Sequence, residues 1–271
     1  MQTGARFEER SINDHLIELY LLIDGCYRSQ ANSINVIAPC FPYARSDKKD
    51  DRGPISAKLV INQIFSAGAR RLVSMDLHAG QEQGFTDQPF DNIYCINIII
   101  PYLKTLTDGN SDKYILVSPD AGGVKRITKY AEKLHLDYVM LHKQRNYSLL
   151  NVVESSMLLG NPDILSKAKG KIAIVIDDMM DTCGTMAAGV QTLIDNGITR
   201  VILVATHGIF SGDAIVKLNE CEAILEVIVT NTICQQYNLE QCSKLHVIDT
   251  SPLLSEVIRR ILCDDSISEL F

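Results

Sequence analysis

Three carboxylates and a turn of small and hydroxyl-bearing residues share the segment Val175–Thr185, VIDDMMDTCGT. The Val- and Ile-rich run Ile172–Ile176 reads as a strand, which sets Asp177 and Asp178 at its end. Acceptor-only carboxylates there suit neighbouring hydroxyls, as on a sugar. Asp181, Thr182, Cys183, Gly184 and Thr185 then turn into a helix predicted over Thr185–Asp195. A helix start offers unpaired N–H groups and a partial positive charge, and both favour a phosphate. Gly184 lets the backbone approach closely, and Thr182 and Thr185 add hydroxyl donors. The segment therefore suits a sugar phosphate, its diol toward the acids and its phosphate in the turn. A capping Asp or Thr beside an incidental acidic strand end would explain an acidic pair. It does not explain the whole pattern D-D-x-x-D-T-x-G-T.

Other stretches carry compatible chemistry. In Ser118–Arg126, SPDAGGVKR, the expectation is that Gly122 and Gly123 free the backbone to fold its amides inward as an anion nest. Asp120 there can hold a divalent cation. His78, in MDLHAGQ, lies just past a strand, where a neutral imidazole ligates a metal or hydrogen-bonds a phosphate. Asp87 and Asp91 follow on an expected loop, QGFTDQPFDN. The charged run Arg45-Ser-Asp-Lys-Lys-Asp-Asp-Arg52 follows Phe41 and Tyr43 and stops at Gly53-Pro54, so it is a bounded loop. Its Arg45 and Lys49 suit a polyphosphate. Lys143 and Arg145, in LHKQRN, are expected to leave a strand into a mobile loop, 146–160. Two cations on a movable loop suit closure over a transferring phosphoryl group.

These loops need a scaffold. Strands are predicted at Ile34–Phe41, Leu72–Leu77, Tyr114–Ser118, Tyr138–Leu141, Ile172–Ile176, Val201–Ala205, Ile224–Val229 and Leu245–Ile248. Helices are predicted at Asp14–Cys26, Ser56–Ala67, Val124–Leu134, Thr185–Asp195, Gly212–Leu218 and Leu253–Leu262. Continuous apolarity in the strands implies sheets covered on both faces, and the alternation implies an α/β fold with mainly parallel strands. A boundary near residues 92–100 would leave two α/β units. The 271 residues carry 26 basic and 33 acidic side chains, a net charge of −7, which argues against a nucleic-acid polymer as ligand. The eight cysteines form no C-x-x-C pair, which argues against a zinc site and for a reduced, cytoplasmic setting. No apolar run approaches the roughly 20 residues of a membrane span, and MQTGARFEER is no signal peptide.

FPYARSDKKD, MDLHAGQEQGF, SPDAGGVKR, HKQR, VIDDMMDTCGT and THGIFSG occur in that order. From about Ser11 to Leu262 the chain resembles the ribose-phosphate pyrophosphokinases, or phosphoribosyl pyrophosphate synthetases. The resemblance implies transfer of the β,γ-diphosphate of ATP to the C1 hydroxyl of ribose 5-phosphate with Mg2+, and a homo-oligomer, usually a hexamer built from dimers. It implies two phosphoribosyltransferase-like domains, here 1–96 and 97–271, with the C-terminal tail packing back on the first. By resemblance, Asp177 and Asp178 hold the ribose hydroxyls, and Asp181 to Thr185 the 5-phosphate. Asp120, Ala121, Gly122 and Gly123 form a diphosphate loop. Arg45, Ser46, Asp47, Lys48, Lys49 and Asp50 bind ATP. His78 and Asp120 hold the metal, with Asp76, Asp87 and Asp91 as further candidates, and Lys143, Arg145 and His78 are catalytic.

The chain also departs from the family. MQTGARFEER has no clear counterpart, and the strands and the adenine-recognising loop that open family members are missing, so the first domain is expected to be incomplete. Ser46 stands where Gln is usual, Gln144 where Arg or Glu is common, and the loop after Arg145 is unusually apolar. Those departures motivate a second reading, a regulatory or decoy subunit joining full-length homologues. A third, a salvage phosphoribosyltransferase, is opposed by HKQR and by the ATP stretch.

Overall fold

Apolar runs buried on both faces build the larger of two sheets. In a computed structural model of the chain, residues 10–49, 51–145 and 153–270 are described. They divide into two compact units. The first takes the chain up to Cys95 together with 231–237 and the segment from Asp249 onward. The second takes Ile96–Thr230 and Asn238–Ile248.

The first unit contains α1 (Ile12–Arg28), β1 (Asn35–Ile37), α2 (Ser56–Ser66), β2 (Arg71–Met75), β3 (Phe90–Ile93) and, from the end of the chain, α9 (Ser251–Leu262). Its sheet is parallel, in the order β1-β2-β3. A capping box starts α1: the Asp14 N–H donates to Ser11 Oγ, and the Ser11 N–H donates to Asp14 Oδ2 at 2.7 Å. Leu16 and Ile23 of α1 join Val60, Ile61 and Ile64 of α2 and Leu72 of β2 in one core.

The second unit begins with α3 (Ile96–Thr107), β4 (Tyr114–Ser118), α4 (Val124–Leu134) and β5 (Tyr138–Arg145). There follow β6 (Val153–Leu159), α5 (Pro162–Ala168), β7 (Ile172–Met180), α6 (Gly184–Asp195), β8 (Arg200–Gly208), α7 (Ala214–Glu220), β9 (Ile224–Thr230) and β10 (Leu245–Ile248); α8 is Gln236–Gln241. The sheet order is β10-β9-β8-β7-β4-β5-β6. Every pairing is parallel except that of β5 with β6. Ile115, Val117, Ala173, Val175, Val201 and Leu203 all lie in its core, each essentially buried. Cutting Ile115 or Leu203 to Ala costs roughly 2–5 kcal/mol. On α4, Ile127, Tyr130 and Leu134 make the buried stripe, and His135 ends the helix in the left-handed region, φ 55°.

The strand expected over Ile34–Phe41 shrinks to Asn35–Ile37, because its continuation Cys40–Tyr43 turns away, with Tyr43 at φ 60°. Two expectations about loops are corrected. Residues 153–159, placed in a mobile loop, form β6, antiparallel to β5 with Met140 opposite Leu159; residues 146–152 lie outside the described ones. Asp91, expected on a loop, sits in β3, where Arg71 Nη1 meets its Oδ2 at 3.0 Å.

Candidate active site

Parallel strands expose their carboxyl ends along one edge of a sheet, where ligands of such folds bind. In the second unit β7, β4 and β5 are neighbours in that order. The acid-bearing end of β7, the Ser118–Gly123 loop and the end of β5 therefore share that edge.

Strand β7 does not stop at its acids. It runs through Asp177 and Asp178 to Met180, because its backbone stays in register with β8, Asp177 opposite Ala205 and Met180 opposite Gly208. Arg126, on α4, reaches across to both acids. Its Nη1 lies 3.1 Å from Asp177 Oδ1 and its Nη2 3.3 Å from Asp178 Oδ1. The Asp178 N–H also donates to Asp177 Oδ1 at 2.9 Å. Asp178 is buried, its side chain 5% exposed, whereas that of Asp177 is 24% exposed. Burial first, and then the adjoining Asp178 carboxyl, push the pKa of Asp177 up to about 8, with the Arg126 guanidinium pulling the other way. Sequence reasoning missed Arg126; its signal was a cation one turn past a Gly-Gly pair.

The turn after β7 is pinned at both ends. The carbonyl of Met180 accepts from the N–H groups of Ile209 and Phe210 at 2.8 and 3.1 Å. Lys217 Nζ donates to the carbonyl of Thr182 at 3.2 Å. Cys183 is the residue that takes the left-handed backbone, φ 55°, ahead of α6, a strained choice for a residue with a Cβ. Burial, then the Asp181 carboxylate, push its thiol up to about 12, so it stays protonated and is no nucleophile. Gly184 opens α6, one residue earlier than expected, and a Cβ added there would meet no heavy atom within 4 Å. The protein thus leaves open space beside the backbone at the start of α6. The Thr185 side chain lies outside the described residues.

In the Ser118–Gly123 loop, Ser118 Oγ donates to the Asp120 carbonyl at 2.7 Å and the Gly123 N–H donates to Asp120 Oδ1 at 3.0 Å. Neither Gly122 nor Gly123 has positive φ, so the loop lacks the alternating-handed backbone of the expected nest. What requires glycine at 123 is proximity: a Cβ there would meet Ser118 Oγ at 2.7 Å. Asp120, Ala121 and Gly122 are exposed. Lys143 and Arg145, expected beyond the strand, belong to β5, opposite Ser156 and Val153 of β6, with a bulge between Gln144 and Arg145. Pairing with β6 prolongs β5 past Leu141. The side chains of Lys143 and Arg145 lie outside the described residues.

The first unit holds the remaining candidates. Asp76 follows β2 with φ 38°, and its Oδ2 accepts from the Cys95 N–H at 3.0 Å. His78 is exposed, as is Asp87. Burial raises the pKa of Asp91 and the Arg71 guanidinium opposes it, so Asp91 is committed to a structural ion pair. Gln81 Nε2 donates to Asp47 Oδ2 at 3.3 Å, joining the His78 loop to the Arg45–Lys49 stretch. Arg45, Lys48 and Lys49 are exposed. Ser46 instead closes the loop onto α2, its Oγ accepting from the Ser56 N–H at 3.2 Å. Asp50 lies outside the described residues. Among the described residues no three His, Cys, Asp or Glu side chains gather as a metal cage. None of the described helices is long and apolar enough to cross a membrane, and no disulfide joins the eight cysteines.

Ribose-phosphate pyrophosphokinase 2 of Schizosaccharomyces pombe is 45% identical to this chain over 272 residues, covering 100% of the chain and 81% of the relative. The chain belongs to the ribose-phosphate pyrophosphokinase family. The likeness is wider than the span from Ser11 to Leu262 drawn from the motifs. The N-terminal domain of ribose phosphate pyrophosphokinase matches residues 2–68, and the phosphoribosyl synthetase-associated domain matches 160–271. The crystal structure of phosphoribosylpyrophosphate synthetase from Mycobacterium smegmatis aligns with a TM-score of 0.84 at 38% identity, over 93% of this chain and 79% of that one. Membership of this pyrophosphokinase family gives the sheet edge at β7, β4 and β5 its chemical context.

Proposed function

We propose that this chain is a ribose-phosphate pyrophosphokinase that transfers the β,γ-diphosphate of ATP to the C1 hydroxyl of ribose 5-phosphate, giving phosphoribosyl diphosphate and AMP for nucleotide biosynthesis. The observation that carries this reading is the end of β7: a guanidinium-bridged acid pair, then a pinned turn with open space at Gly184. Asp177 and Asp178 accept from the sugar diol. The N–H groups opening α6, with Thr182 and Thr185, take the 5-phosphate. Two-point attachment fixes C1 toward the Ser118–Gly123 loop, whose Asp120–Gly123 backbone flanks the arriving diphosphate. The C1 oxygen bonds to Pβ, the bond from Pβ to the bridging oxygen on the α side breaks, AMP departs with that oxygen, and the hydroxyl proton passes to solvent water.

Arg45, Asp47, Lys48 and Lys49 would line the nucleotide's path, with Ser46 shaping their loop and Asp50 at its end. Lys143 and Arg145 offset charge that spreads over the transferring group. Mg2+ takes oxygen ligands, keeps much of its water and leans on substrate phosphates rather than a protein cage, which the exposed carboxylate of Asp120 fits; His78, Asp76 and Asp87, on the first unit, are less direct candidates. When bound, Mg2+ would supply positive charge that offsets the negative charge of the phosphates. On this reading the enzyme is cytosolic and homo-oligomeric, and the exposed Ile17, Leu21 and Leu22 of α1 offer an apolar face for a subunit contact.

The test is AMP formation from ATP and ribose 5-phosphate by the purified chain, with Lys143→Ala alongside. Wild type should turn over. The variant should lose roughly 10²-fold or more in kcat, the worth of one electrostatic donor, while binding ribose 5-phosphate as before. An unchanged rate removes Lys143 from the reaction, and consumption of a nucleobase with phosphoribosyl diphosphate instead would overturn the assignment.

A further inference from the structure

We propose that Arg126 is a positioning residue for the sugar site: its forked guanidinium bridges Asp177 and Asp178, orients both as hydrogen-bond acceptors for the diol, and couples that strand to the Ser118–Gly123 loop. The proposal rests on the reading of the acid pair as the diol's partners. Its geometry is a planar cation in contact with both carboxyls, at 3.1 and 3.3 Å. Guanidinium stays charged at every working pH and presents its donors in a fixed fork, which suits two acceptors at once.

The surroundings make the cation necessary. Two adjacent carboxyls, one of them buried, repel each other and favour keeping one proton, and the Arg126 charge opposes this and lowers the pH at which both ionise. Ionised, both carboxyls only accept; protonated, one of them keeps an acceptor oxygen but turns an O–H toward the diol. Among the described residues, Arg126 on α4 and Asp178 on β7 are the charged groups that bear on Asp177. Its register partner on β8 is Ala205, and the last β7 residue that β4 pairs is Val175, opposite Val117. No titratable side chain enters at those two positions; two residues further along β8 the buried His207 stands opposite Met179. Arg126 is also one turn past Gly123, which caps α4. A displacement of the Asp120–Gly123 backbone is therefore carried to the acid pair, and the two halves of the reaction centre keep one spacing.

The experiment uses the full chain at saturating ATP and follows kcat/KM for ribose 5-phosphate from roughly pH 6 to 11, a profile that reports the free site's ionisations. Arg126→Met, Arg126→Lys, Asp177→Asn and Asp178→Asn are compared with wild type. The acid limb that Asp177→Asn abolishes belongs to the acid pair; limbs that survive belong to the substrates. Arg126→Met should shift that limb to higher pH by roughly 1–3 units, the usual effect of one opposite charge at this distance. It should also raise KM for ribose 5-phosphate about 10-fold or more while leaving KM for ATP unchanged. Arg126→Lys should give a smaller shift of the same sign. An even loss across pH with the limb unmoved, or equal rises in both KM values, would mean a merely structural ion pair and would overturn the proposal. If Arg126→Met fails to fold by circular dichroism, the Arg126→Lys profile decides, and an unmoved limb is the negative result. If Asp177→Asn and Asp178→Asn both keep wild-type affinity for ribose 5-phosphate, the diol reading itself falls, whatever the Arg126 variants do.

Discussion

Replacing Gly184 by Ala should raise stability and lower affinity in the same molecule. Gly184 is the first residue of α6, its backbone is not left-handed, and an added Cβ meets no heavy atom within 4 Å. The folded chain accepts the methyl without strain, and the unfolded chain loses conformational freedom. Such a substitution stabilises by about 0.4–1 kcal/mol, which for a chain of this size raises Tm by roughly 1–4 °C. The methyl enters the space assigned to the 5-phosphate, however. A hydrogen bond from backbone N–H to a charged group contributes roughly 1.5–3 kcal/mol. Losing one weakens ribose 5-phosphate binding about 10- to 100-fold. Thermal unfolding of the ligand-free protein gives the first quantity and titration calorimetry the second. Ribose, which lacks the phosphate, serves as the control and should bind the variant and wild type alike. Wild-type affinity for ribose 5-phosphate in a stabilised variant would refute the placement of the phosphate. A lowered Tm would refute the open space.

Gly123→Ala should cost roughly 1–3 kcal/mol in a denaturant titration, because its Cβ meets Ser118 Oγ at 2.7 Å while that oxygen is held by the Asp120 carbonyl. Adding Ser118→Ala should recover part of the loss, and strict additivity of the two changes would count against the collision. Asp177→Asn should remove a pH dependence of folding. The folded carboxyl, with a pKa near 8, holds its proton more tightly than the unfolded one. Its contribution is therefore fully present below the unfolded pKa near 4 and is lost as pH rises toward and through 8. Wild type should lose stability relative to Asp177→Asn between pH 5 and pH 8, by at most about 1.4 kcal/mol per unit; a relative gain over that range contradicts the assignment.

Where side-chain chemistry and backbone geometry agree, the sequence suffices. Tyr114–Ser118 and Leu245–Ile248 are strands over just the residues their apolar runs mark. Ser118–Arg126 and Val175–Thr185 do fall beside each other, on adjacent strands. Where polar residues continue a strand, composition misleads, because ladder hydrogen bonds ignore side-chain polarity. Strand β7 therefore outruns Ile176 by four residues, Asp177 to Met180, and β5 extends through Lys143 and Arg145. Strand β6, VESSMLL, has no unbroken apolar run and is recruited by the exposed edge of β5. Arg126 was invisible for another reason: its role comes from α4 lying on β7, a contact across 51 residues of sequence.

The acids' own strand is fourth of seven, bonded to β4 from Ile172 to Val175 and to β8 from Ile172 to Met180. Amides so placed exchange with solvent on the clock of global unfolding, while turns and edges breathe far more often. On the proposed reading, the sugar's hydroxyls would meet acids that follow directly on this doubly bonded stretch and stay bonded to β8, and the entropy lost on capture would fall on the carbohydrate and on the Asp181–Thr185 turn. On that reading, a change that loosens the sheet would also loosen the hold on the pentose.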